Sequence, residues 1–70
     1  MDIEVIENWF TYHAPSADQQ AVYVKLRSAA QIFAIAINNL VPDCADKTAA
    51  LRKLREAVMT ANAAIACGGK

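Results

Sequence analysis

Glycine is nearly missing from this chain of 70 residues, and its two copies, Gly68 and Gly69, stand at the end. No glycine-rich loop is present to cradle a nucleotide phosphate. Histidine occurs once, as His13. The two cysteines, Cys44 and Cys67, form no CxxC pair. No zinc set and no disulfide framework follow from them, and two reduced thiols are the expectation. No Ser-His-Asp or Cys-His arrangement is visible. Catalysis needs a held base and a polarising group, so the chain is not expected to be an enzyme or to carry a metal or cofactor.

Positive charge is missing from residues 1–20, which hold Asp2, Glu4, Glu7 and Asp18. All seven basic residues come later, against Asp43, Asp46 and Glu56, and the formal net charge is zero. A DNA-coating protein carries a basic excess, so DNA is not an expected partner. The acidic N-terminus lacks the basic flank of a secretory leader. The most apolar stretch, AAQIFAIAINNLV, is too short to span a bilayer and contains Gln31, Asn38 and Asn39. No membrane partner is expected.

What the chain does have is alanine and aliphatic residues: 56% of it is hydrophobic, with few aromatics. Alanine favours helix and lets helices approach closely, but buries little area. A chain this short struggles to bury enough apolar surface alone. The expectation is a thin all-α unit completed by copies of itself.

Three helices can be placed. The first covers about residues 2–10, with Ile3, Ile6 and Phe10 on one face and Val5 and Trp9 beside them. Pro15 biases Ala14 away from helical angles. Ser16 and Gln19 match a capping box, which makes TYHAPS (11–16) a corner. The second helix runs about 17–40, with the stripe Val22, Leu26, Ala29, Phe33, Ile37 and Leu40. From Ala29 to Ile37 it is apolar nearly all round, which calls for cover on several sides. Pro42 ends it, and Asp43 reads as the next cap. The third helix runs about 44–66, with the stripe Leu51, Leu54, Val58, Ala61 and Ile65. The short connection makes the two long helices an antiparallel hairpin, in one domain spanning residues 1–70.

The residues suited to binding are rings and cations. Trp9, Tyr12 and His13 lie at the corner, where flat rings can stack on nucleobases. Lys25, Arg27, Lys47, Arg52, Lys53 and Arg55 can meet phosphate, and arginine can do so with a two-pronged bond. Each has a plainer reading. Trp9 is core, Tyr12 a cap on the hairpin, His13 and Lys25 solvated, and LRKLRE (51–56) a wet face. Arg27 resists the plainer reading most, because the helix beyond it is empty of charge and a charge bordering an apolar surface needs a partner.

FTYHAPSADQ (10–19), Tyr23, Leu26-Arg27, the interhelical proline and LRKLREAVMTANAAIA (51–66) occur here in order. Together they resemble the small phage proteins of the anti-CBASS sponge family, whose hairpin domain is shared with Thoeris-inhibiting sponges. The resemblance covers about residues 10–66. Its specific elements are F-T-Y-H-x-P and A-N-x-A-I-A in combination. It implies a phage immune-evasion protein, in the cytoplasm of the infected bacterial host. Such a protein binds cyclic di- and trinucleotide messengers without cleaving them, as a compact homo-oligomer, a hexamer. Cyclic dinucleotides such as 3′,3′-cyclic GMP-AMP would sit between subunits. By motif position, Tyr12 stacks on a base and Arg27 meets phosphate. Some members hold cyclic trinucleotides at separate sites. There the family pattern continues A-N-x-A-I-A with arginine, where this chain has Cys67; Lys70 is the cation left on the tail.

Two other classes stand beside this reading. A helical interaction module that blocks a host protein would use the apolar stretch from Ala29 to Ile37. A nucleic-acid binder would use LRKLRE, against a neutral overall charge.

Overall fold

The computed structural model describes all 70 residues, as three helices and no strand. Helix α1 spans Ile3–Phe10, α2 spans Ala17–Leu40 and α3 spans Ala45–Ala66. The local chemistry explains each end. Helix α1 stops where the Thr11 hydroxyl donates back to the Glu7 carbonyl at 2.6 Å, ahead of Pro15. Helix α2 begins in a reciprocal cap: Gln19 N–H donates to Ser16 Oγ at 3.1 Å, and Ser16 N–H to Gln19 Oε1 at 3.0 Å. Two otherwise orphaned donors are satisfied at once.

The start of α3 differs from the reading of Asp43 as its cap. The N-cap position is Cys44, and no side chain caps the helix. The Asp43 carboxylate accepts instead from Lys47 Nζ at 2.7 Å, and the same ammonium donates to the Asn38 carbonyl at 2.9 Å. Lys47 is the one buried residue of the chain. A buried ammonium stays charged only when its protons are taken up, and here they bind the last turn of α2 to the first turn of α3.

Helix α3 ends in a left-handed turn. Gly69 N–H reaches the Ala64 carbonyl at 2.8 Å and Gly68 N–H the Ile65 carbonyl at 3.2 Å. Both glycines have positive φ, 68° and 78°, where a Cβ is penalised. Near this end Gln19 Nε2, from the start of α2, donates to the Ile65 carbonyl at 3.3 Å. With Lys47 bridging the opposite ends, α2 and α3 lie side by side in opposite directions.

On α3 the half-buried residues include Leu51, Leu54, Val58, Ala61 and Ile65, the expected stripe. On α2 the covered face is rotated from the expected one. It consists of Gln19, Tyr23, Leu26, Ala30, Ala34, Ala36 and Ile37, while Val22, Ala29, Phe33 and Leu40 are exposed. Small residues at 30 and 34 let the helices approach closely, and the larger side chains are turned outward.

No hydrophobic side chain is fully buried. The chain measures 45 × 29 × 15 Å and exposes 5673 Å². A compact folded chain of this mass would expose about 4,300 Å². The excess is larger than the roughly 800 Å² that one partner contributes to a standard protein–protein interface. Ile32, Phe33 and Ile35 are more than half exposed on α2.

Candidate functional site

The corner between α1 and α2 is held by polar groups. Asn8 Nδ2 donates to the Cys67 carbonyl at 3.3 Å, and Trp9 Nε1 to the Lys70 carbonyl at 3.1 Å. His13 Nε2 lies 2.7 Å from the Asn8 carbonyl. Helix α1 thus reads the end of α3 with its amide and indole, and the imidazole closes the turn that follows. The apolar face of α1 is left outward: Ile3 and Phe10 are 64% and 84% exposed.

These contacts sort the candidate residues. Trp9 is neither core nor a free stacking ring. It is half exposed, and its indole edge is engaged with the chain end beside Ala63, Ala64 and Cys67. His13 is half-buried and bonded to Asn8, so it is a fixed element of the corner rather than a solvated turn residue. Tyr12 caps nothing: its ring is 84% exposed, between two anchored neighbours. Lys25 is exposed and has no ion-pair partner. Lys47, one of the cations considered for phosphate, is consumed in the Asp43 and Asn38 contacts.

Arg27 lines an open groove of about 500 Å³ on one face of the hairpin. Arg55, Gln31, Met59 and Asn62 line the same groove, over Leu54 and Val58. The ion pair of the chain is Lys47 with Asp43, and neither arginine has a carboxylate partner. Arg27 lies ten residues into α2, roughly 15 Å along the helix axis from its start. Tyr12 does not line the groove. No group of three His, Cys, Asp or Glu residues is placed to hold a metal ion. No helix is long and apolar enough to cross a membrane.

A protein-family model, described as the Acb2/Tad1 hairpin domain, matches residues 1–66. The chain belongs to that family. It is the family of anti-CBASS and anti-Thoeris sponges. Its domain is a binding module. Comparison with curated proteins and with solved structures gave no match.

Arg55, one of the six cations able to meet phosphate, and Asn62, within A-N-x-A-I-A, are brought by the fold into the groove that holds Arg27. The spacing Leu51, Arg55, Asn62 keeps to one face of α3 and was the available signal. The partner of the Asn8 amide is at the other end of the chain, which no local pattern reveals.

Proposed function

We propose that this protein binds cyclic di- and trinucleotide second messengers of bacterial CBASS immunity and holds them without cleavage. It would act as a phage-encoded sponge in the cytoplasm of the infected host. The observation that carries the reading is family membership over residues 1–66 combined with an unengaged ring and an unpaired cation, Tyr12 and Arg27. Tyr12 is the base-stacking residue and Arg27 a phosphate-binding residue. His13 and Trp9 hold the corner that presents Tyr12, and Lys25 adds a cation one turn before Ser28 on α2.

The site is completed between copies. Tyr12 of one copy meets Arg27 of another, in a homo-oligomer for which a hexamer is the expected form. Two facts support assembly: the absence of a fully buried apolar residue, and an exposed area well above that of a compact chain. Dinucleotides such as 3′,3′-cyclic GMP-AMP are the principal ligands. Cys67 supplies no cation where the family pattern has arginine, so trinucleotides bind more weakly.

Calorimetric titration of Tyr12→Ala and Arg27→Ala with 3′,3′-cyclic GMP-AMP tests the assignment. Loss of binding with the oligomer intact is expected for both. Normal binding by both variants would remove these residues from the site.

The exposed Ile32, Phe33 and Ile35 face favours one second reading, a module that blocks a host protein. One stoichiometric protein partner, captured with no nucleotide bound to either chain, would select it.

A further inference from the structure

We propose that Arg55 is a second phosphate-binding residue, acting with Arg27 across the same groove. The inference rests on the reading that the chain binds cyclic oligonucleotides, and it extends that site from α2 to α3.

Three observations carry it. First, Arg27 on α2 and Arg55 on α3 line one groove, and neither is ion-paired. Second, acid is scarce around them. Helix α2 has no Asp or Glu after Asp18, and α3 has only Glu56 after Asp46. Glu56 lines a different depression, with Lys53 and Thr60. Two positive charges bordering one groove, with no acid to answer them, favour an anion there. Third, the groove is polar on its rim: Gln31 and Asn62 line it beside the two arginines. An apolar helix laid into it would leave both guanidinium groups without an anion. A nucleotide brings phosphate oxygens for them.

A cyclic dinucleotide carries two phosphates on one ring. One guanidinium fork answers one phosphodiester well. Arginines on the two facing helices provide a fork for each. The closing Tyr12 is left to the second copy.

The test is titration of wild type, Arg55→Ala, Arg55→Lys and the control Arg52→Ala with 3′,3′-cyclic GMP-AMP, with helicity and mass recorded for each. Loss of one charge-assisted contact predicts Kd raised about 10- to 100-fold in Arg55→Ala. Arg55→Lys should recover part of that loss, and Arg52→Ala should bind within about twofold of wild type. Equal binding by wild type and Arg55→Ala overturns the role of Arg55 and leaves the sponge reading standing. No binding by wild type overturns the sponge reading itself. Were Arg55→Ala to change mass or helicity, Arg55→Lys decides: its full wild-type affinity would contradict the two-pronged contact.

Discussion

Asn8 and Cys67 are 59 residues apart in sequence and joined by a hydrogen bond from Nδ2 to the main-chain carbonyl at 3.3 Å. Helix α1 is too short to be stable alone. Its anchorage is this bond, the Trp9 bond to Lys70 and a half-buried Val5. The orientation of Tyr12 follows from it, because the ring stands between α1 and the half-buried His13. We predict that Asn8→Ala loosens α1 by about 1 kcal/mol. Amide exchange should speed up in residues 3–10 and stay unchanged in α2. Uniform acceleration through the hairpin would show that α1 is not a separately held element.

The cap at Ser16 gives a second prediction. Removing a serine that accepts a first-turn bond costs about 1 kcal/mol. Ser16→Ala should lower thermal stability by that order and weaken ligand binding through the displaced corner. An unchanged melting temperature would mean that the cap contributes nothing.

The Lys47–Asp43 pair sets an acid dependence. The hydrogen bond from Lys47, and then its charge, hold the Asp43 carboxyl below its ordinary value of 3.8. A lowered folded-state pKa means the charged form is favoured by folding. The contribution is therefore fully present above that ordinary value and fades as the pH falls through the lowered pKa. Asp43 is fully exposed, so the effect is modest. Asp43→Asn should flatten the loss of stability below about pH 4, measured by thermal melts across pH 2–6. An identical acid limb in the variant would place the acid sensitivity elsewhere.

The outward apolar face of α2 gives a fourth prediction. Phe33 is 58% exposed and borders an entirely apolar depression with Leu26, Leu54 and Val58. Phe33→Asp would place a charge on the face proposed to pack against a second copy, at a cost that an interface does not tolerate. Light scattering should give a multiple of 7.6 kDa for wild type and a shift toward 7.6 kDa for the variant. A wild-type chain that stays at 7.6 kDa at micromolar concentration would contradict assembly.

Much of the helical framework was legible because its determinants are local. Ser16, Gln19, Pro42 and the terminal glycines act within a turn of where they stand. The α3 stripe was legible because leucine and valine alternate with charged residues there. The α2 stripe was not, since the helix is apolar nearly all round and periodicity cannot choose between Ala29–Phe33 and Ala30–Ala34. Asp43 looked like a cap by residue type, but its carboxylate was claimed by Lys47, a competition invisible to a local rule. At the site, Tyr12 and Arg27 stood out by chemistry and family pattern. Arg55 is one of six such cations by residue type, and that it shares a groove with Arg27 is a relation between elements rather than along one.

The central claim is capture without chemistry. The most direct measurement is calorimetric titration of the purified protein with 3′,3′-cyclic GMP-AMP, followed by heating the complex and analysing the released nucleotide. The account predicts tight, saturable binding and recovery of the intact cyclic ligand. Recovery of a linear product would contradict it by showing catalysis. An absence of heat with this ligand and with a cyclic trinucleotide would contradict it by returning TYHAPS to a purely structural corner.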